Sequence, residues 1–371
     1  MKPRVLFVSR ERIRLPLAGA QKRKWDALSD ELDYRVVAAA PQGSPTRDEH
    51  MRLVSPQRPQ ALDGAAYYVL LPHRVARELR AFEPDVLFVQ GVHEAFACRV
   101  ALRLARSRAK LVLDIQGDWR GTTRLYGSPA RRLLNPLNDA MGPRAVRAAD
   151  GVRTISTPTT ELVRAAGIEP IASFPPYVDV SAFLERPPAP LPERPGVLFV
   201  GALERVKAFD TLAAAWRLVD PQVPGASLRI VGSGSLAPLA AALVDEVSSA
   251  EWTGRLESDA VAAAMDEAWI VCLPSRSEGL GRVALEAAAR GRAIVGGAGT
   301  GIADVVRDGE NGALVDADDA GALAAVLLRI LSNRSEAERL GSAARRTGEA
   351  WAATPSDYAK RMRAAVDAVL D

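Results

Sequence analysis

Residues 277–295 of the 371-residue chain read Ser-Glu-Gly-Leu-Gly-Arg-Val-Ala-Leu-Glu-Ala-Ala-Ala-Arg-Gly-Arg-Ala-Ile-Val. The segment Val283–Ala289 has helix-forming residues and no breaker, so the turn Gly279-Leu280-Gly281 leads into a helix N-terminus. Free backbone N–H groups and the positive end of the helix dipole favour a phosphate there. Glu278 precedes the turn and Glu286 lies inside the helix, where a carboxylate can accept hydrogen bonds from sugar hydroxyls. The stretch predicts a pocket for a sugar, a diphosphate and a ribose, although an ordinary helix with two solvated glutamates has the same pattern.

Short apolar runs alternate with alanine-rich helical stretches on both sides of this segment. Such alternation is typical of parallel sheets covered by helices, a doubly wound α/β architecture. The runs are as apolar as strands that are buried on both faces. We predict strands at Val5–Val8, Tyr34–Ala38, Val86–Val89, Leu111–Ile115, Gly151–Ile155, Gly196–Val200, Ser227–Val231, Trp269–Leu273 and Ala293–Val295.

A proline-rich segment divides the chain almost in half. Residues 184–196 contain five prolines, which exclude a helix or a central strand and favour a semi-rigid linker. A chain of 371 residues is too long for one ordinary core, so two domains are expected. We place the boundary between residues 185 and 186, with one α/β domain on each side.

The composition is that of a globular protein without a membrane span or a metal site. Hydrophobic residues make up 48% and charged residues 25%, and no apolar run approaches the ~18 residues of a membrane helix. The first apolar run is too short for a signal peptide, which favours a cytoplasmic location. Cys98 and Cys272 are expected to be reduced core residues. The three histidines are scattered, so we expect no metal ion.

Charge is distributed unevenly along the chain. Residues 1–190 carry 29 Lys and Arg against 20 Asp and Glu, whereas residues 191–371 carry 19 against 25. The basic half suggests contact with an anionic membrane surface, a lipid phosphate or a phosphorylated acceptor. An arginine-rich composition with solvated surfaces would give the same asymmetry. We expect no nucleic-acid partner.

A second glycine-rich turn, Gly232-Ser-Gly-Ser-Leu-Ala, follows the predicted strand Ser227–Val231. It matches the pattern Gly-x-Gly-x-x-(Gly/Ala), which would indicate an NAD site. The match lies in the middle of the chain, on the second strand of its domain. The acid expected about 20 residues later would have to be Glu251, which is poorly placed before Trp252. These two facts argue against a dinucleotide site.

The spacing of Glu278 and Glu286, glutamate–seven residues–glutamate, resembles the donor-site signature of retaining GT-B glycosyltransferases, the glycogen-synthase-like family 4 (glycosyl transferases group 1). The resemblance covers most of the chain and is strongest over residues 196–331. It implies two Rossmann-like doubly wound parallel-sheet domains that face a central cleft. Residues 1–185 would be the acceptor-binding domain and residues 186–354 the nucleotide-sugar donor-binding domain. The C-terminal helix, about residues 355–371, would pack back on the first domain.

The resemblance assigns roles to residues of the second domain. It places Glu278 near the transferred sugar and Glu286 at the ribose of the nucleotide. The stretch Gly201-Ala-Leu-Glu-Arg-Val-Lys resembles the family segment whose arginine and lysine clasp the diphosphate, and two solvated loop cations are the alternative. These cations would stabilise the leaving diphosphate without a metal ion. The predicted catalytic residues are Arg205, Lys207 and Glu278. The predicted donor-binding residues are Gly201, Gly232, Arg255, Leu256, Glu278, Gly279, Leu280, Gly281 and Glu286.

The first domain matches the family less closely. The family has a glycine pair after the first strand, and Gly19-Ala20 keeps one of the two glycines. Many members have a histidine where this chain has Gln116, so a histidine role is in doubt, but Gln116 can donate a hydrogen bond to a sugar hydroxyl. Asp118 could hold an acceptor hydroxyl, because ligands collect at the carboxyl ends of such strands. Gly19, Gln116 and Asp118 are therefore the predicted acceptor-binding residues, with a capped turn as the alternative for the last two.

The resemblance implies transfer of a sugar from a nucleotide diphosphate to an acceptor hydroxyl with retention of the anomeric configuration. We expect front-face attack, since no residue is a clear nucleophile. No cofactor is expected, the donor is expected to be a UDP- or GDP-sugar, and the acceptor would serve cell-envelope glycan, glycolipid or glycosylated-metabolite synthesis. The alternatives are a GT-B sugar-nucleotide epimerase, a pyridoxal-dependent phosphorylase and a non-catalytic nucleotide-sugar-binding protein. The expected location is cytoplasmic, at the inner face of the membrane if the basic domain contacts it.

Overall fold

The computed structural model of the protein describes residues 1–56, 63–125 and 135–371. The chain forms two compact units. One contains Met1–Arg120, Asn135–Tyr177 and Ala353–Asp371, and the other contains residues 121–125 and Val178–Ala352. The donor-binding and acceptor-binding roles of residues 186–354 and 1–185 stay predictions.

The first unit is built on a seven-stranded parallel sheet with the strand order β3-β2-β1-β4-β5-β6-β7. The elements of the chain up to β7 are, in order, β1 Arg4–Arg12, α1 Gly19–Glu31, β2 Asp33–Ala39, β3 Met51–Val54, α2 Asp63–Phe82, β4 Val86–Gln90, α3 Val92–Ala105, β5 Lys110–Ile115, α4 Gly121–Arg124, α5 Asn135–Ala148, β6 Gly151–Thr154, α6 Thr157–Arg164 and β7 Ala172–Ser173. Of these elements, α4 belongs to the second unit. The inner strands are buried on both faces, and Leu111, Val112 and Leu113 of β5 are wholly inaccessible.

The second unit contains a six-stranded parallel sheet with the strand order β10-β9-β8-β11-β12-β13. Its elements are α7 Ser181–Leu184, β8 Gly196–Val200, α8 Phe209–Val219, β9 Ser227–Val231, α9 Ala237–Glu246, β10 Ala250–Gly254, α10 Ser258–Asp266, β11 Ile270–Leu273, α11 Arg282–Ala289, β12 Ala293–Gly297, β13 Gly312–Val315, α12 Ala320–Leu331 and α13 Arg334–Trp351. Short 3₁₀ turns at Arg205–Lys207 and Gly301–Asp304 interrupt two of the loops.

The last helix, α14 Pro355–Leu370, returns to the first unit. Its N-terminus has a capping box, in which the Asp357 amide donates to Thr354 Oγ1 at 3.1 Å and the Thr354 amide donates to Asp357 Oδ2 at 3.2 Å. The apolar side of α14 packs against α1. Arg363 Nη1 adds a hydrogen bond of 3.3 Å to the Glu31 carbonyl at the end of α1.

The proline-rich segment is irregular, but it is fastened to the second unit. Arg334 donates to the carbonyls of Leu191 at 2.6 Å and Pro192 at 2.9 Å. The buried Arg292 donates to the Ala189 carbonyl at 2.9 Å. These hydrogen bonds satisfy carbonyls that no regular element pairs, so the segment is held in place more firmly than a semi-rigid linker would be.

The cysteines and the helices agree with the composition. Cys98 and Cys272 are both unpaired and buried, as predicted. Among the described residues, no helix combines the length and the apolar character needed to cross a bilayer.

Candidate active site

The glycine-rich turn of residues 279–281 opens α11, as predicted. Gly281 is the N-cap residue and has a φ of +81°, a left-handed conformation that favours glycine. A Cβ at Gly281 would lie 2.7 Å from Cγ1 of Ile302, and a Cβ at Gly301 would lie 2.0 Å from the Gly279 carbonyl oxygen. The Gly301 amide also donates to the Glu278 carbonyl at 2.9 Å. The turn is therefore clamped against the 3₁₀ turn at Gly301–Asp304.

Lys207 and Glu278 meet in front of this turn. Lys207 Nζ donates a charge-assisted hydrogen bond to Glu278 Oε2, and both side chains are about one-fifth exposed, at 23% and 21%. Both residues line a cavity of about 210 Å³ in the second unit, together with Ser275, Gly281 and Arg282. A cation and a carboxylate thus share a small cavity at the start of a helix, where an anionic group with hydroxyls attached would find both kinds of partner.

Arg276 holds the two loops that carry these residues. Its guanidinium donates to Asp210 at 2.7 and 3.1 Å, to Thr211 Oγ1 at 3.0 Å, to Asp318 at 2.6 Å and to the Arg205 carbonyl at 2.6 Å. These bonds use all five N–H groups that a guanidinium has. Arg276 therefore has no donor left for a ligand, and it fixes the turn Arg205–Lys207 against the residues that precede Glu278.

Arg205 and Glu286, two further predicted site residues, differ in exposure and in their ion-pair partners. The Arg205 side chain is exposed and has no ion-pair partner among the described residues. The Glu286 side chain is 10% exposed and lies 3.1 Å from Nε of Arg282, one helical turn earlier. Burial raises the pKa of Glu286, and Arg282 opposes that rise.

The glycines that follow β8 and β9 allow two loops to touch. A Cβ at Gly232 would lie 1.8 Å from the Gly201 carbonyl oxygen, and one at Gly234 would lie 2.5 Å from the Leu203 carbonyl oxygen. Glu251, the acid that a dinucleotide site would require, forms an ion pair with Arg229 instead. These contacts explain the Gly-x-Gly pattern without a dinucleotide.

Arg255 and Leu256 follow directly after β10, in the loop beside this contact. The Gly232 amide donates to the Gly254 carbonyl at 2.7 Å, which ties the Gly232 turn to the residue before Arg255. Arg255 is exposed and Leu256 is half-buried. The predicted base-contacting loop thus lies next to the turn predicted to line the nucleotide pocket.

The predicted acceptor residues are distributed over two strand ends of the first unit. Gly19 is the first residue of α1, exposed and with a φ of +52°. Gln116 Nε2 donates to Asp114 Oδ2 at 2.8 Å, and Asp118 Oδ1 accepts from both the amide and Nε of Arg120, at 2.8 and 2.9 Å. Gly19 follows β1 and the other two follow β5, with β4 between those strands. Asp118 has the contacts of a capped turn.

Two family models match the chain. The model described as "Glycosyl transferases group 1" matches residues 194–333, and the one described as "Glycosyltransferase Family 4" matches residues 27–182. A GDP-mannose-dependent alpha-(1-6)-phosphatidylinositol monomannoside mannosyltransferase of Mycobacterium tuberculosis is 28% identical over 271 residues, which are 67% of this chain and 69% of that protein. A D-inositol 3-phosphate glycosyltransferase of a Nocardioides species is 35% identical over 175 residues, only 42% of this chain and 38% of that protein.

Solved structures agree on the fold. A sucrose-phosphate synthase of Thermosynechococcus elongatus superposes with a TM-score of 0.72 at 21% identity, covering 94% of both chains. A lipopolysaccharide outer core galactosyltransferase gives 0.71 at 16% identity over 98% of this chain and 99% of the other. The chain is a GT-B glycosyltransferase. The predicted fold of two Rossmann-like parallel-sheet domains is confirmed.

The matched ranges include most of the predicted site of this GT-B glycosyltransferase. All predicted donor residues, from Gly201 to Glu286, lie within residues 194–333. Gln116 and Asp118 lie within residues 27–182, and Gly19 lies outside that range. The roles of the individual residues stay predictions.

Sequence reasoning missed two arginines of this glycosyltransferase. Arg276 appears in the sequence only as one polar residue before Glu278. Arg153, in β6, is wholly buried and forms an ion pair of 2.8 Å with Asp114 of β5. Its Nη2 donates to the Phe174 carbonyl at 2.7 Å. Arg153 could have been found in the sequence because it and Asp114 carry opposite charges at paired positions of two neighbouring strands.

Proposed function

We propose that this GT-B glycosyltransferase is a retaining enzyme of the glycogen-synthase-like family 4 that needs neither a metal ion nor another cofactor. The observation that carries the proposal is the contact between Lys207 and Glu278 in the cavity at the start of α11. In this proposal the diphosphate of a nucleotide sugar lies at the amides of Gly279–Gly281, with Arg205 and Lys207 as its cations. Residues 186–354 then form the donor domain and residues 1–185 the acceptor domain.

The proposed reaction is a front-face substitution. The bond between the anomeric carbon and the leaving phosphate oxygen breaks, and the acceptor oxygen bonds to the same face of the sugar. The proton of the acceptor hydroxyl passes to the leaving phosphate, so no enzyme base is required. Arg205 and Lys207 stabilise the charge that develops on the diphosphate, which removes the need for a divalent ion. Glu278 holds hydroxyls of the transferred sugar.

The nucleoside would be held by the remaining donor residues. Glu286 accepts hydrogen bonds from the ribose, and the backbone at Arg255 and Leu256 contacts the base. Gly201 and Gly232 line the same pocket, since their loops touch. We propose a UDP- or GDP-sugar as the donor. The name of the mycobacterial mannosyltransferase specifies GDP-mannose, which supports the second of these.

We propose an anionic acceptor in glycolipid or cell-envelope glycan synthesis. The names of the two relatives specify phosphatidylinositol monomannoside and D-inositol 3-phosphate, both of which carry a phosphate. The basic composition of residues 1–190 suits such an acceptor. Gly19, Gln116 and Asp118 would lie on the acceptor side.

We further propose that the enzyme works in the cytoplasm and contacts the inner face of the membrane through α2 and α3. These helices pack against each other and expose large apolar side chains: Val69 at 76%, Leu70 at 44%, Val100 at 45% and Leu104 at 51%. Arg77 and Arg103 are exposed on the same two helices. Apolar side chains beside arginines suit an anionic bilayer surface.

The donor proposal is tested by thermal shift with UDP, GDP and their sugars. At least one nucleotide should raise the melting temperature of the wild-type protein and raise it less in Lys207→Ala. The anomeric configuration of the product, read by NMR, should match that of the donor, and a chelator should leave the rate unchanged. An inverted product, or activity that a chelator removes and Mg²⁺ restores, would contradict the mechanism.

The membrane proposal has a separate test, co-sedimentation with vesicles. The wild-type protein should bind phosphatidylglycerol vesicles more strongly than phosphatidylcholine vesicles. Val69→Asp and Leu104→Asp should reduce that binding without changing activity on a water-soluble acceptor. Equal sedimentation of the variants and the wild type would exclude this surface.

A further inference from the structure

A basic cavity lies in the first unit, between the edge strand β3 and the helix α2. Its volume is about 340 Å³, and its lining includes Arg47, Arg52, Arg74 and Arg77. Glu78 is the one carboxylate among the described residues that line it. The lining therefore carries four arginines against one glutamate, and two of these arginines, Arg47 and Arg77, are exposed.

The single carboxylate is already shared among several arginines. The Glu78 side chain is 7% exposed, and Oε2 accepts from Arg35 Nη1 at 3.1 Å. Arg52 Nε lies 3.8 Å and Arg77 Nη2 3.6 Å from the same carboxylate. Asp48 also attracts Arg52, but its Oδ1 accepts from the amides of His50 and Met51. Glu78 therefore has little capacity left to neutralise the rest of the cavity.

Two arginines of the lining have no such partner. Among the residues that the structure describes, neither Arg47 nor Arg74 forms an ion pair or a side-chain hydrogen bond, and Nη1 of Arg74 is buried without an acceptor. Burial lowers the pKa of Arg74; Tyr67 opposes this shift, and Arg77 adds a smaller lowering. A buried N–H without an acceptor and like charges near each other both destabilise the folded state. A bound anion would accept a hydrogen bond from the unpartnered N–H and would offset the like charges.

We infer that this cavity binds a phosphate-bearing anion. Guanidinium groups match phosphate oxygens in pairs, and the unpartnered N–H groups of Arg47 and Arg74 would supply donors that the protein itself does not use. The volume suits a phosphate with a small attached group. The cavity lies beside β3, at the edge of the sheet, whereas the predicted acceptor residues follow β1 and β5. It is therefore a binding site in addition to the proposed reaction site.

The test is titration calorimetry with inorganic phosphate at constant ionic strength, on the wild type, Arg47→Gln, Arg74→Gln and a control, Arg108→Gln. Arg108 is exposed in the loop before β5, does not line the cavity and carries the same charge. The cavity variants should bind phosphate at least about tenfold more weakly than the wild type and the control. Phosphate binding at the donor cavity is common to all four proteins, so the basic cavity is assessed from the differences between their phosphate affinities. Equal affinities in all four would overturn the inference.

Thermal unfolding distinguishes a binding arginine from a structural one. In phosphate-free buffer, Arg74→Gln should melt no lower than the wild type, because the substitution removes a like charge and an unpartnered N–H. Added phosphate should then stabilise the wild type more than the variant. A melting temperature that falls by the same amount with and without phosphate would make Arg74 a structural residue and overturn the inference.

The source of the phosphate is distinguished with two further probes. Glycerol 3-phosphate represents a free metabolite, and vesicles of phosphatidic acid in phosphatidylcholine represent a lipid headgroup. If Arg74→Gln binds glycerol 3-phosphate more weakly than the wild type does, the site is assigned to a free anion. If only its binding to the vesicles is weaker, the site is assigned to a lipid headgroup. No decrease with either probe would exclude the site.

Discussion

In the second unit, the polar residues of the candidate site come from distant parts of the chain, whereas in the first unit they bond to close neighbours. Lys207 and Glu278 are 71 positions apart. Gln116 bonds to Asp114 and Asp118 to Arg120, each two positions away. A contact between distant loops exists only because the fold brings them together. A contact within a turn forms wherever that turn forms, and it says less about function.

Two buried carboxylates, one in each unit, also differ in how their charge is compensated. Asp114 in the first unit pairs with Arg153, and the side chains are 6% and 0% exposed. Glu286 in the second unit is 10% exposed, but its partner Arg282 is 72% exposed. A buried partner compensates a buried charge far better than a solvated one. Asp114 thus helps to hold two strands together, whereas Glu286 is left with a solvated partner and can still accept hydrogen bonds from a ligand.

Arg153→Met should have the largest effect and should act on stability. The substitution leaves Asp114 buried without its cation, which typically costs about 3–5 kcal/mol. The free energy of unfolding, measured in urea, should fall by that amount. The matched control is Arg164→Met, since Arg164 pairs with Glu169 at the surface with side-chain exposures of 57% and 67% and should contribute little.

A double variant sharpens the interpretation of Arg153. Asp114→Val combined with Arg153→Met removes both charges from the paired strands and should recover much of the lost stability. If the double variant loses as much free energy of unfolding as the two single variants lose together, the two residues do not act as a pair. Asp114 would then be no better compensated than Glu286.

Lys207→Ala should have the largest effect on catalysis. Removal of one cation from the leaving group should lower kcat by about 10²–10³-fold, as for other groups that stabilise developing charge. Release of the nucleotide diphosphate measures this rate, and Lys207→Arg should retain part of it. An unchanged kcat in the alanine variant would show that the long-range contact in the second unit is structural, like the pair in the first.

The sequence predicted the interior of each sheet and missed its edges. All nine predicted strands are interior strands, and the four that were missed, β3, β7, β10 and β13, are the outer strands of the two sheets. An inner strand of a parallel sheet is buried on both faces and is therefore a continuous apolar run. β10 reads Ala-Glu-Trp-Thr-Gly with Glu251 and Thr253 exposed, and β7 has only two residues. Such short or mixed runs do not differ from loops.

The candidate site shows the same limit. The residues around α11 were predictable because Glu278, the glycine turn and Glu286 follow one another within a single strand–turn–helix unit. Arg276 and Arg153 were not, because their importance depends on partners 39 to 71 positions away. No local pattern specifies that five donors of one guanidinium will all be used.

Arg276→Lys should have an intermediate effect on catalysis. It tests whether Arg276 holds the contact between Lys207 and Glu278 in place. An ammonium has three donors and cannot bridge Asp210, Asp318 and the Arg205 carbonyl as the guanidinium does. We expect kcat to fall by about tenfold with little change in the KM for the donor, because Lys207 loses its position while the pocket remains. The control is Arg217→Lys, which disturbs the surface pair with Glu246 on α9 and should leave kcat unchanged.

Arg276 is a positioning residue only if it acts through Lys207. In that case Arg276→Lys combined with Lys207→Ala should be no slower than Lys207→Ala alone. If the two substitutions lower kcat by independent factors that multiply in the double variant, Arg276 acts independently of Lys207. The five hydrogen bonds of Arg276 would then have a different role.

Glu286→Gln should have the smallest effect, and it depends on pH. Burial raises the pKa of Glu286 above the 4.5 of a solvated glutamate, so its charged form is disfavoured in the folded protein. The wild type is therefore most stable, relative to the variant, below pH 4.5, and it loses that advantage as the pH rises through the raised pKa. Urea unfolding of both proteins across this range should show the difference declining with pH. Removing the opposing cation with Arg282→Gln should enlarge the decline, since the pKa would then rise further. A stability difference that does not change with pH would mean that Arg282 compensates Glu286 as fully as Arg153 compensates Asp114, and the contrast between these two carboxylates would not hold.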